Sequence, residues 1–219
     1  MHLRPARPRT AAVRAEGAVR VTATGDLFDE PLLAGLQYQA DLLTQDEHDA
    51  LIAQMSAIDL PPFMFQGWEG KRRTQSFGWR YDFNDASFMR ADPFPDWLVA
   101  VRDKAAAFAG LSSDAFIHAL LARYDPGAGI GWHRDRPVFE QVVGISLGSP
   151  ATLRFRQRTS TGFKRASLHV APRSSYLLSG PARHEWEHSI VPGELQRFSI
   201  TFRTMSALGR RKAEAQRIS

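Results

Sequence analysis

From Phe116 onward the chain is broken by glycine, proline or short polar turns, and the runs between the breaks have the grammar of strands. Phe116 to Tyr124, Gln141 to Gly148, Thr152 to Arg158, Arg165 to Val170, Ser174 to Leu178, His184 to Ile190 and Arg197 to Thr204 all fit extended chain. Alternation is plain in two of them. Leu153 and Phe155 interleave with Arg154, Arg156 and Arg158, and Phe198, Ile200 and Phe202 interleave with Arg197, Ser199, Thr201 and Arg203. Such a succession of short strands indicates a sandwich or barrel. Helical signals are confined to the N-terminal half. Thr44 and Glu47 form a capping box ahead of the stripe Leu51, Ile52, Met55, and Pro95 precedes a second helix over 96–109 that stops at Gly110. The fold class expected is α+β, mainly β: a double-stranded β-helix, or jelly-roll, backed by N-terminal helices. The divisions expected are a flexible basic tail over 1–30, helices and an extended basic–aromatic segment over 31–110, the β core over 111–205, and a basic tail over 206–219.

At 219 residues the chain is long enough for one domain with a substantial core. It has no cysteine, so disulfides are excluded and any metal must be held by His, Asp or Glu. That composition fits a reducing compartment. No apolar run approaches the ~20 residues of a spanning helix, and the Arg-rich start lacks a secretory apolar stretch. A cytoplasmic protein without a membrane segment is expected. The net charge of +5 is unevenly placed. Residues 1–20 hold five Arg against one Glu, and residues 206–219 hold Arg210, Arg211, Lys212 and Arg217 against Glu214, leaving residues 21–205 slightly acidic. A solvated disordered end is the commoner meaning of such tails.

A glycine-rich turn at Pro126-Gly127-Ala128-Gly129 leads into Ile130-Gly131-Trp132-His133-Arg134-Asp135. In a strand, His133 and Asp135 project to one face. One more histidine would complete the two-His, one-carboxylate facial set that leaves open positions on Fe(II). His188 is the candidate, with His184 the other choice. A kinase catalytic loop is excluded, because Glu140 stands where that loop needs Asn. His184-Glu185-Trp186-Glu187-His188 also satisfies the zinc-protease pattern, which requires a helix to bring both histidines to one face. The segment lies between Pro181 and Pro192 after a strand-like run, so an extended reading is preferred. In the last strand Arg197, Ser199, Thr201 and Arg203 share one face. Beside a metal site that face suits a carboxylate, which Arg grips with a planar fork.

With these residues in view, the chain resembles the AlkB family of Fe(II)/2-oxoglutarate dioxygenases over about Leu121 to Arg203. The resemblance rests on Arg-Tyr before a Pro-Gly turn, His-x-Asp, Val-Gly-Ile-Ser-Leu-Gly, a late His, and Arg-x-Ser-x-Thr-Phe-Arg. It implies iron on His133, Asp135 and His188, and 2-oxoglutarate and O2 as cosubstrates. Its distal carboxylate would lie on Arg197, helped by Tyr124, with Ser199 on the same wall and Arg203 near the chelating end. Ala122 and Ser199 stand where the family often has Asn, and Pro137 where several members have an acidic residue near the base. Members remove alkyl groups from nucleobases oxidatively, and some act on RNA or protein. The partner implied is alkylated DNA or RNA, single-stranded by preference, handled by a monomer. More loosely, the resemblance extends to a nucleotide-recognition lid, where Lys71, Arg72, Arg73, Phe77 and Tyr81 would pair phosphate contacts with a stacking platform. The rivals are a related oxygenase of protein or small molecules, the zinc hydrolase, and a non-catalytic nucleic-acid binder. An edge hairpin with ordinary solvated charges is the plainer meaning of residues 71–81.

Overall fold

Two β-sheets face each other, and the two longer N-terminal helices stack on the outside of the larger sheet. The structure, a computed structural model, describes residues 20–21, 32–65, 67–82 and 87–218. Most of the expected tail over 1–30 therefore lies outside the described residues. In chain order the elements are β1 (Arg20–Val21), β2 (Leu36–Gln39), α1 (Gln45–Ala57), β3 (Pro62–Phe65), β4 (Trp68–Tyr81), β5 (Phe88–Arg90) and α2 (Asp96–Ala109). A 3-10 turn (Ser113–Ala115) leads to β6 (Phe116–Tyr124), β7 (Ile130–His133), β8 (Phe139–Gly148), β9 (Ala151–Thr159), β10 (Gly162–Val170) and β11 (Ser175–Leu178). Then come α3 (Gly180–His184), β12 (Glu187–Ile190), β13 (Arg197–Met205) and α4 (Ala207–Ile218).

The smaller sheet runs β1-β10-β9-β12-β7, and the larger runs β2-β11-β8-β13-β6-β4-β3 with β5 attached to β4. This is the expected double-stranded β-helix. Antiparallel pairing fixes which residues look inward. Leu153, Phe155, Leu168 and Ile190 of the smaller sheet pack against Ala122, Tyr124, Val142, Tyr176 and Leu178 of the larger. On the opposite face of the larger sheet, Leu121, Val143, Ile145, Phe198, Ile200 and Phe202 meet Leu51 and Met55 of α1 and Leu98 and Val101 of α2. The capping box is formed: Thr44 Oγ1 accepts from the Glu47 amide at 3.2 Å, and Glu47 Oε2 accepts from the Thr44 amide at 2.9 Å.

Three expectations change. Residues 207–218 are helical instead of a free basic tail, with Ala213 buried against Phe88, Val138 and Phe139. Their low mean hydropathy hid the helix, because only one narrow stripe docks. Residues 180–184 form a helical turn, so the strand begins at Glu187 instead of His184. And β4 is a single strand of 14 residues paired to β6, so residues 68–81 extend the main sheet.

Candidate active site

His133 on β7 lies directly opposite His188 on β12, and their ring centroids are 4.3 Å apart. Asp135 follows β7 with its side chain almost fully buried, and its Oδ2 lies 3.6 Å from His188 Nε2. Its other oxygen, Oδ1, accepts from Arg203 Nε at 2.8 Å and is 2.7 Å from Arg203 Nη2. Arg203 Nη1 in turn donates to His118 Nδ1 at 3.3 Å, and His118 Nε2 is 3.3 Å from Ser76 Oγ. A chain of contacts from β4 and β6 thus fixes the carboxylate. His133 Nδ1 donates to the Gly131 carbonyl at 2.9 Å, which leaves Nε2 with a free lone pair. Arg183 of α3 donates to the carbonyls of Arg136 and Phe139 at 2.9 and 2.7 Å, holding the loop after Asp135.

The protonation states suit a cation. Burial alone would raise the Asp135 carboxyl, but the Arg203 guanidinium, with His188 and His133, holds it well below the usual carboxylate range. His188 is pushed down to about 3, by burial first and then by His133. Burial also lowers His133. Two neutral imidazoles and an ionised carboxylate are what a divalent metal requires of such ligands. Among the described residues no group of three or more His, Asp or Glu is arranged as a finished metal cage. A cation would have to draw these three donors together. The donor types fit Fe(II).

β13 supplies the adjoining wall, with Arg197, Ser199 and Thr201 all buried. The Arg197 guanidinium lies 4.9 Å over the Tyr124 ring and donates from Nη2 to Ser146 Oγ at 3.3 Å. Its Nε and Nη1 are buried without a hydrogen-bond partner. Unpaired buried donors on a cation are costly; Nε and Nη1 diverge across the guanidinium, so one carboxylate would grip Nη1 together with Nη2 and leave Nε to a further acceptor. Tyr176, which sequence reasoning missed, crosses the same wall. A Cβ on Gly144 would come within 2.4 Å of its hydroxyl, so only glycine lets the ring lie across β8. Burial drives the Tyr176 phenol up to about 12, although Arg197 opposes this, so it stays protonated and can donate. The signal for it was the lone Gly144 inside an apolar strand, which marks close approach.

A cleft of about 1170 Å³ opens over this floor, bordered by His133, Asp135, His188, Tyr124, Tyr176, Ser199 and Arg203. Arg197 does not border it. It borders a second cavity of about 180 Å³ that shares Tyr124 and Ile190 with the cleft. Of the residues expected in a lid, Arg72 and Tyr81 do line the cleft. Arg72 lies 3.9 Å over the Phe63 ring, and its guanidinium is lowered by burial, with Tyr124 opposing. The Arg136 guanidinium is 5.0 Å over Tyr81. Lys71 is exposed and does not border the cleft. Phe77 is no stacking platform: it is buried against the helices, and Arg73 points the same way, donating to the Leu60 carbonyl at 2.8 Å. The reason is register. Thr74 pairs with Ala122, so Arg72, Thr74 and Ser76 share the cleft face while Arg73 and Phe77 take the other. Phe63, Met64 and Trp132 line the cleft and were not anticipated.

The zinc-hydrolase alternative fails on geometry. α3 ends at His184, which pairs with Glu140 at 2.8 Å, while His188 lies on a strand and Glu185 accepts from Gln157 at 2.8 Å. The two histidines share no helix face.

A family model described as the 2OG-Fe(II) oxygenase superfamily matches residues 35–218. The chain is 26% identical over 191 residues to the Alkylated DNA repair protein ALKBH8 homolog of Arabidopsis thaliana, covering 75% of this chain and 53% of that protein. It is 29% identical over 120 residues to the Probable RNA/DNA demethylase ALKBH6 of Danio rerio, covering 54% and 48%. It is 31% identical over 99 residues to the Uncharacterized protein L905 of Acanthamoeba polyphaga mimivirus, covering 39% and 47%. The chain spans about half the length of the curated relatives it matches. Among solved structures, OsALKBH1 aligns with a TM-score of 0.56 at 15% identity, covering 78% of this chain and 98% of that one. A Pseudomonas putida prolyl-4-hydroxylase aligns with a TM-score of 0.55 at 18% identity, covering 78% and 93%. These two likenesses show the fold.

Proposed function

The chain belongs to the 2OG-Fe(II) oxygenase superfamily, and from that premise we propose that it is an AlkB-like, iron- and 2-oxoglutarate-dependent oxygenase that dealkylates an N-alkylated nucleobase in a DNA or RNA strand. His133, Asp135 and His188 would hold the iron. When bound, Fe(II), 2-oxoglutarate and O2 supply the oxidant that hydroxylates the N-alkyl carbon, after which the hemiaminal product sheds an aldehyde. Arg203 keeps Asp135 ionised and turns one oxygen toward the metal position. Arg197 takes the distal carboxylate of 2-oxoglutarate, with the Tyr176 hydroxyl as a further donor and Tyr124 and Ser199 beside it. Arg72, Phe63, Met64 and Tyr81 border the mouth, where a flipped or unpaired base would enter.

The observation that carries the oxygenase reading is the buried Arg197 guanidinium with two unpaired donors, one strand face from Arg203 and its bonded Asp135. Support for a nucleic-acid substrate comes from the basic–aromatic rim of the cleft and from relatives named for alkylated-DNA repair and RNA/DNA demethylation. The test is incubation with Fe(II), ascorbate and 2-oxoglutarate against methylated single-stranded DNA and RNA, with succinate and bases read by mass. Succinate formation with loss of the methyl group supports the proposal. Succinate formation with every methylated base intact points to a protein or small-molecule substrate instead.

A further inference from the structure

The outward face of the smaller sheet carries a row of cations that the catalytic reading does not use. Leu153 and Phe155 of β9 point inward, so Arg154, Arg156 and Arg158 point out. Register with β10 sets Arg165 and Phe163 beside them. The side chains interlock: Arg154 and Arg156 lie 5.1 and 4.6 Å over the Trp132 ring, and Arg156, Arg158 and Arg165 lie 4.8, 5.9 and 5.6 Å from the Phe163 ring. One carboxylate enters the row: Glu187, 2.6 Å from Arg156. Among the described residues no carboxylate pairs with Arg154, Arg158 or Arg165, and all three are exposed. The concentration is notable because residues 21–205 carry no positive surplus.

Guanidinium planes resting on aromatic rings lose less conformational freedom when their N–H edges bind an anion. Rings interleaved with cations along one face are also what a single strand stacks on while its phosphates are neutralised. The row has a direction. Trp132 also borders the cleft and adjoins His133, while Phe163 and Arg165 lie three strand spacings away across β12, β9 and β10. The backbones are thus about 14 Å apart, but both rings close on Arg156, at 4.6 and 4.8 Å, so the rings themselves are at most about 9 Å apart, roughly three nucleotides at 3.4 Å each.

On the reading that the substrate is a nucleic-acid strand, we propose that this face is a strand-docking surface, on which Arg154, Arg158 and Arg165 take phosphates flanking the base in the cleft. Trp132 is the hinge between surface and cleft.

The test compares the full chain with a variant carrying Arg154→Gln, Arg158→Gln and Arg165→Gln, and with the matching triple Lys variant. Circular dichroism and melting confirm that both fold. Binding of an unmodified twelve-nucleotide single strand is followed by anisotropy across a salt series. Each lost phosphate contact removes about 0.7 from the slope of log affinity against log salt. The Gln variant should therefore lose about 2, equal to about 16-fold in affinity between 50 and 200 mM salt, and the Lys variant should recover most of the slope. With methylated substrates, the KM advantage of a twelve-nucleotide strand over a trinucleotide should shrink toward one in the Gln variant. An unchanged slope overturns the surface. So does displacement of the strand by polyglutamate of equal charge, which would make the face a general anion patch. If the unsubstituted protein binds the strand with this slope yet demethylates nothing, the surface stands and the proposed substrate reading falls. If it binds no strand even at low salt, both fall.

Discussion

Replacing Arg197 by Met separates a ligand-binding arginine from a structural one, because the two roles give opposite signs in the ligand-free protein. Met has similar length and no charge. The substitution loses a cation–π contact with Tyr124, about 2 kcal/mol when desolvated, and one long hydrogen bond to Ser146, about 1 kcal/mol. It also removes two buried donors without partners, each costing about 1–3 kcal/mol. The balance runs from a loss of about 1 to a gain of about 3 kcal/mol, so the ligand-free variant should melt near or above the unsubstituted protein. The response to 2-oxoglutarate should differ sharply. At a hundred times Kd, a ligand that binds only the folded state adds about 2.7 kcal/mol, and for a chain of this length that is about 5–11 °C in Tm. The unsubstituted protein, loaded with Mn(II) in place of iron, should show a shift of that size on adding 2-oxoglutarate, and Arg197→Met should show almost none. Thermal unfolding with and without 2-oxoglutarate reads both quantities. A variant that melts far below the unsubstituted protein without ligand means the guanidinium is already satisfied. A variant that keeps the ligand shift puts the carboxylate elsewhere.

His188→Ala should abolish turnover and the Mn(II)-dependent melting shift, whereas His184→Ala, which loses only an exposed pair with Glu140, should keep both; the opposite result reverses the ligand assignment. His118 is held well below its usual range by burial first and then by Arg203, so its neutral form supports the fold above the unfolded-state pKa near 6.5, and that support is lost as pH falls below it. His118→Gln should accordingly flatten the decline in stability as pH falls below about 6.5, measured by urea melts; equal slopes for both proteins would place the proton elsewhere. Phe77→Ala should cost about 3–5 kcal/mol of stability, with strand affinity at saturating folded protein unchanged, because the ring is packed beneath α1 and α2 and not in the cleft.

What could be read from sequence was whatever depends on local period. Alternation in β9 and β13 gave both the sheet and its inward side, and the i, i+2 spacing of His133 and Asp135 gave two donors on one strand edge. What escaped depends on long-range register. Arg72 and Arg73 are chemically alike, and which one reaches the cleft is decided by the pairing of Thr74 with Ala122, some fifty residues away. Arg203 was expected near the chelating end of the cosubstrate, and its contact across the sandwich with Asp135, a proposed metal ligand, agrees with that place; the direct bond to the carboxylate was not foreseen. Tyr176 looked like one more apolar position until its ring was found lying on Gly144. Helix α4 is amphipathic, but its mean hydropathy is so low that it reads as a charged tail.

The position of β13 has a consequence for biosynthesis. It lies between β8 and β6 in the larger sheet, yet both are made before it. Until Arg197–Met205 has emerged and slotted in, β6 and β8 each present an open edge lined with Leu121, Val143 and Ile145, the pattern that invites pairing with another chain. The same insertion delivers Arg203 to Asp135. A nascent or truncated chain without this strand is therefore both incomplete as a site and exposed to aggregation, and one insertion covers both edges and brings Arg203 to Asp135.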